Sequence, residues 1–132
     1  MGAKGETKKT NADFLRYCLK RCWMAEGASE EHADAVADAL MFGIRQGKLN
    51  QGLGVYEAID LTHQMGGLDI KAVPTVVNEG PSWAVIDGKR SSGYYTMTKV
   101  AQTAIAKAKE HGISIVFGFN HNDAGSFGSY TW

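Results

Sequence analysis

The chain has 132 residues, of which 44% are hydrophobic and 21% charged, enough for one compact domain with its own core and unlike the composition of a disordered or membrane-spanning chain. Fourteen basic and fourteen acidic residues cancel, so no global field draws nucleic acid or an acidic lipid surface to it. The first ten residues, Met1 to Thr10, are small, polar and slightly basic and read as a flexible tail. They lack the apolar centre of a signal peptide and the Arg-rich amphipathicity of a transit peptide, so a cytoplasmic protein is expected.

A first helix is predicted from Asn11 to Glu26, with Asn11 as its cap and Phe14, Leu15, Cys18, Leu19, Cys22 and Trp23 as its apolar stripe. Two thiols in a cytosolic protein are too few for a metal site, and Cys18 and Cys22 read as small buried hydrophobes. Gly27 ends this helix and Ser29 caps the next, where Glu30 and Glu31 sit in a first turn that favours negative charge. Its packed face is Ala35, Val36, Ala39, Leu40 and Phe42 or Gly43, and Gly47 stops it. After the polar bridge Lys48 to Gly52, a third helix covers about Val55 to Gln64 and closes on Met65-Gly66-Gly67, a glycine C-cap signal.

From Leu68 the pattern becomes strand-like. Thr75 to Asn78 is β-branched, Glu79-Gly80-Pro81 turns the chain, and Trp83 to Ile86 returns to Asp87-Gly88, where glycine is expected to accept a positive φ. A fourth helix spans about Gly93 to Glu110, with Met97, Val100, Ala101, Ala104, Ile105 and Ala108 on one face. Ile113 to Phe119 is apolar along its whole length and reads as a buried strand with neighbours on both faces. Three helices, a hairpin, a helix and a strand make an α+β (mixed α/β) protein. The expected organisation is a tail (1–10), a helical bundle (11–67) and the start of a sheet-containing domain (68–132). Ser129 to Trp132 resembles the first turn of another helix, so part of the sheet is expected from further chain or from a partner.

The chemistry is concentrated after that last strand, in Asn120, His121, Asn122, Asp123 and Gly125. A rigid strand that empties into convergent polar side chains is a common way to build a site. An imidazole gives or takes a proton near neutral pH, and Asp123 is placed to orient or charge-balance His121. The competing reading is that these side chains only satisfy loop backbone groups. A metal site on His121 and Asp123 lacks further ligands. The other histidines have simpler explanations: His32 and His63 as solvated helix residues, and His111 at a helix C-terminus that favours a cation. Gly125-Ser126-Phe127-Gly128-Ser129 resembles an anion-binding turn but matches neither phosphate-loop nor dinucleotide fingerprint.

Taken together, these segments resemble the N-terminal portion of the type-2 malate/L-lactate dehydrogenases, a family of NAD(P)H-dependent 2-oxoacid and ketimine reductases distinct from the Rossmann-fold dehydrogenases, so the resemblance implies a fold that is not a Rossmann fold. The resemblance rests on the helix pair before Gly47, Asn50-Gln51-Gly52, Met65-Gly66-Gly67-Leu68, Ala84 to Gly88, Ala104 to Ile113 and Asn120 to Gly125. Thirteen residues separate Gly52 from Gly66, as between the family's Ser-His-Gly motif and its Gly-Gly. It implies NADH or NADPH as cofactor, hydride transfer to a C=O or C=N carbon beside a carboxylate, a histidine proton donor and an arginine that clamps the carboxylate. It also implies a small-molecule substrate and either a homo-oligomer or a second chain completing the fold. At the matching positions this chain departs from the pattern. The Ser-His-Gly histidine falls on Gln51, the arginine on Val55, and the histidine of the Asn-x-Asn-His-x-Gly loop on Asp123, with His121 two residues displaced. The candidate catalytic set is therefore His121, Asp123 and Gln51, and the candidate substrate-binding set Asn50, Asn120, Asn122 and Gly125. Gln51 cannot supply a proton at neutral pH and Val55 cannot hold a carboxylate. Either substrate and proton donor differ, or the ordinary reaction is lost and a binding or assembly protein remains.

Overall fold

The computed structural model describes residues 9–131, so the predicted tail lies almost entirely outside the described residues, as does Trp132. The elements are α1 (Ala12–Ala25), α2 (Glu30–Arg45), a short 3-10 helix (Leu49–Gln51), α3 (Leu53–Gln64), β1 (Thr75–Gly80), β2 (Trp83–Asp87), α4 (Gly93–His111), β3 (Ile115–Phe119) and α5 (Gly128–Thr131). The α+β class is as read from the sequence; α3 starts two residues earlier than predicted.

Caps account for the helix starts. Asn11 accepts the Asp13 and Phe14 N–H groups, Ser29 accepts that of His32, and Ser92 accepts that of Tyr95, each satisfying a donor that the first turn leaves without a partner. The core is built around α2. Ala33, Val36, Ala37 and Leu40 are fully buried, and they are joined by Leu19 and Trp23 of α1, Ile59 of α3, Leu68, Ile70 and Tyr94. Because α2 packs against both α1 and α4, its buried surface is wider than a single stripe. Arg16 pairs with Asp34 and Asp38, and Lys20 with Glu30 and Asp34, across the outer side of the α1–α2 contact.

The two cysteines depart from expectation. Cys22 is exposed and Cys18 half-buried, because only the narrow line through Leu19 and Trp23 is fully buried in α1.

The three strands lie in the order β1-β2-β3, with β1 antiparallel and β3 parallel to β2. A parallel pair needs a crossover, and α4 supplies it. Ala84 and Ile86 are buried on the face toward α4. Gly118 allows that helix close: a Cβ there would come within 2.9 Å of Val100 Cγ2. The other face is open. Trp83, Ile115, Phe117 and Phe119 are 40%, 57%, 61% and 48% exposed, so the strand expected to be buried on both sides is covered on one. The reason is the alternation of side chains along a strand: Val116 and Gly118 face α4, while the larger residues face away.

Candidate functional site

The carboxyl ends of the parallel pair β2 and β3 meet the start of α4, the position where open α/β sheets place their ligands. Backbone bonds join the two loops that leave these strands. Gly88 N–H donates to the Phe119 carbonyl at 2.8 Å, Arg90 N–H to Asn120 at 2.8 Å, and Asn122 N–H to Ser91 at 3.2 Å. Asp87 receives the Lys89 N–H and the Asn120 side-chain amide, each at 2.8 Å, and these bonds, the first above all, hold its carboxyl below the usual range.

The turn chemistry differs from the Asp-Gly expectation. Positive φ falls on Lys89 (51°) and Arg90 (64°), and on Asn120 (54°). Gly88 instead serves close packing, since a Cβ there would lie 2.6 Å from Thr96 Oγ1 and 2.9 Å from the Asn120 carbonyl oxygen.

Between α3 and the loop after β3 lies a cleft of about 150 Å³. Val55, Ala58, Ile59 and Thr62 of α3 form one wall with Leu68. Ser92 and Tyr94 at the start of α4, with Asn122 and Asp123, complete the lining. Asn122 donates its side-chain amide to the Gly67 carbonyl at 2.8 Å. Among the described residues, Asp123 is the one charged residue in the lining.

The other candidates are not in its lining. His121 is half-buried, with Nδ1 2.6 Å from the Asn122 carbonyl. Its partner is thus backbone, where Asp123 was expected. Asn120 holds the β2 loop, and Gly125 (φ 62°) lies against the Tyr94 ring. Asn50 and Gln51 belong to the 3-10 helix; Asn50 is exposed, and the Gln51 Oε1 atom is buried with no hydrogen-bond partner among the described residues. The proposed anion-binding turn is folded upon itself. Ser129 N–H and Oγ both bond the Ser126 carbonyl, and Tyr130 OH donates to Ala124.

A buried group under the cleft was not recognised in the sequence. His32, read as solvated, is fully buried, stacked on Tyr95 with ring centroids 4.7 Å apart. Its Nδ1 lies 3.0 Å from the Ile70 carbonyl, which only accepts, so Nδ1 carries the proton of the neutral ring. Nε2, 2.6 Å from Ser92 Oγ, then accepts the serine proton. Burial pushes the imidazole pKa down to about 4, against the opposing effect of the Ile70 bond. His32 thereby ties α2, the segment around Ile70 and the α4 cap together beneath the cleft. Burial, and secondarily the Asp123 charge, push Tyr94 up to about 12. Its hydroxyl stays protonated. Among the described residues no group of three or more His, Cys, Asp or Glu could hold a metal ion.

Comparison with known proteins places this geometry. The sequence profile described as malate/L-lactate dehydrogenase matches residues 10–132. The malate dehydrogenase of Pyrococcus horikoshii is 35% identical over 104 residues, 79% of this chain and 29% of that protein. The L-sulfolactate dehydrogenase of Methanocaldococcus jannaschii is 31% identical over 105 residues, 80% and 30% of the two chains. The solved malate dehydrogenase of Pyrococcus horikoshii superposes with a TM-score of 0.87 at 31% identity, over 98% of this chain and 38% of that one. The chain thus spans about a third of the length of the relatives it matches. Blocks around Gly52, Gly66 and Asn120 carried the resemblance in the sequence, and the profile runs through all of them: the chain belongs to the malate/L-lactate dehydrogenase family.

Proposed function

We propose that this chain is the N-terminal part or a subunit of an NAD(P)H-dependent oxidoreductase that reduces a C=O or C=N carbon of a small molecule. The observation that carries the reading is the cleft at the carboxyl ends of β2 and β3. There Val55, the position of the family's carboxylate clamp, and Asp123, the position of a family histidine, line the same 150 Å³. Asp123 is the residue placed to meet a ligand; Asn120 and His121 are assigned to holding the loop after β3, and Gly125, Asn50 and Gln51 stand outside the cleft lining.

The described residues do not by themselves fit a nicotinamide dinucleotide. The cleft has room for about one ring, and among the described residues no lysine or arginine lines it to balance a pyrophosphate. Cofactor contacts are therefore assigned to polypeptide beyond this segment. The open sheet face of Trp83, Ile115, Phe117 and Phe119 supports the same division, with residues 11–67 a helical unit and 68–132 part of a sheet completed by further chain or a partner. A contiguous exposed apolar face of this kind marks an interaction surface. Among the described residues no helix is long and apolar enough to cross a membrane, in keeping with a cytoplasmic enzyme. One observation favours a second reading, a catalytically silent binding or assembly protein: Gln51, Val55 and Asp123 stand where the family's acid, clamp and second histidine are expected.

Intact mass of the native assembly, denatured and undenatured, followed by NADPH and NADH titration of the same sample, tests the proposal. A second polypeptide or a longer parent chain that binds reduced cofactor is the expected result. A chain found alone or only with its own copies, blind to both cofactors, overturns the enzyme reading.

A further inference from the structure

The wall of the cleft contains a serine already bonded to a base. Ser92 lines the cleft, and its Oγ lies 2.6 Å from Nε2 of His32, within the reach that proton transfer needs. The Ile70 carbonyl keeps the ring proton on Nδ1, so Nε2 accepts and the serine hydroxyl donates to it. Burial disfavours the imidazolium that proton transfer would form, while the Ile70 bond and the Asp69 charge favour it. Capping α4 uses only a lone pair of the hydroxyl; its proton is left for a second task. A hydroxyl bonded to a base that a third group orients is an activated nucleophile. The helix start supplies the other requirement of acyl transfer. Of the N–H groups in the first turn of α4, that of Tyr95 goes to Ser92 Oγ and that of Thr96 to the Ser92 carbonyl. Those of Gly93 and Tyr94 have no acceptor among the described residues, and such groups point out of the helix end, where negative charge is favoured.

We propose that Ser92 is a nucleophile toward small neutral acyl esters, with His32 as its base and the Gly93 and Tyr94 N–H groups as the donors that meet the oxyanion. Oγ bonds to the ester carbonyl carbon as its proton passes to His32 Nε2, and the carbonyl electron pair moves onto oxygen in front of the two N–H groups. Collapse breaks the bond to the alcohol oxygen, which takes the proton from Nε2, and the acyl group stays on Ser92. Water then attacks the acyl carbon by the same route, passing one proton through His32 to Ser92 Oγ and releasing the acid. The aliphatic walls, Val55, Ala58, Ile59 and Leu68, and the volume of about 150 Å³ suit an acyl chain of a few carbons. This activity is separate from hydride transfer and uses no cofactor.

Incubating the folded 132-residue chain with p-nitrophenyl acetate tests it, with samples quenched in acid for peptide mapping by mass spectrometry and p-nitrophenolate release read in parallel. Ser92 is expected to carry acetyl and to gain it at least about tenfold faster than in the chain unfolded by urea, a modest share of what a positioned base contributes. His32→Gln, with its helix content checked by circular dichroism, should slow acetylation of Ser92 by about tenfold or more. If that variant does not fold, the comparison of folded with unfolded chain decides alone. Acetyl confined to lysines and cysteines with no release beyond that of the unfolded chain overturns the proposal. So does a Ser92 that reacts no faster folded than unfolded, or a folded His32→Gln that acetylates at the native rate. No nicotinamide cofactor enters the assay, so the oxidoreductase reading stands or falls on its own titration.

Discussion

Acidification from pH 6.5 to about pH 4 is expected to remove about 3 kcal/mol of folding stability through one buried side chain, His32. In the unfolded chain this imidazole takes its proton near its ordinary value of 6.5, whereas in the folded state burial delays protonation to about pH 4. Between those limits the unfolded state binds more protons, so stability rises with pH. The contribution is fully present above pH 6.5 and is lost as pH falls toward 4. Protonation would also put hydrogen on Nε2, turning the acceptor of the Ser92 hydroxyl into a donor at 2.6 Å and disturbing the cap of α4.

Urea denaturation at half-unit intervals of pH checks this, with His32→Gln as the comparison. The variant should be less stable at pH 7 by roughly 2–3 kcal/mol, since Ser92 loses its buried partner and the Tyr95 ring its stacking neighbour. Its stability should then change little between pH 6.5 and 5. The carboxyls of Glu31, Asp34 and Asp87, each held below its usual range, add their own slope only at the acidic end. A native slope that persists in His32→Gln would assign the pH dependence elsewhere.

His32 also marks where the sequence was readable and where it was not. The stripe Val36, Leu40 and Gly43 repeats at helical spacing, and one turn further back it falls on His32. The periodicity therefore pointed to burial, but a histidine in a first turn after two glutamates reads as solvated until the partners of both ring nitrogens are known. Those partners, Ile70 and Ser92, are 38 and 60 residues away, and no local pattern announces them. The helices, the caps Asn11 and Ser29 and the hairpin were legible because they depend on neighbours within four residues. The open face of β3 was not, because Ile115, Phe117 and Phe119 would look the same in sequence whether or not a second layer covered them. The polar loop was found by composition, yet the wall opposite it is α3, contributed some sixty residues earlier. Val55 was singled out by comparison with a family motif; its place in the cleft follows only from the fold.

Gly93→Ala is expected to cost about 2–4 kcal/mol and to open the cleft, although it adds one methyl group to a helix start, where alanine is ordinarily favoured over glycine. A Cβ on Gly93 would lie 2.3 Å from the Asn122 carbonyl oxygen and 2.4 Å from that of Asp123. Both contacts are with backbone, so no side-chain rotation relieves them. Either α4 retreats, disturbing the Ser92 cap and the His32 bond beneath it, or the loop lifts and takes the Asn122 amide away from the Gly67 carbonyl. Gly112→Ala separates this clash from a general loss of glycine. Gly112 has φ 83° and nothing within 4 Å of its would-be Cβ, so alanine there should cost about 1 kcal/mol of backbone strain and leave the cleft intact. Thermal denaturation gives the two costs. Amide hydrogen exchange at Asn122 locates the damage: its N–H donates to Ser91 in the native loop and should exchange faster in Gly93→Ala but not in Gly112→Ala. If both variants lose similar stability and neither changes exchange at Asn122, close packing of the loop on α4 is not what shapes the cleft.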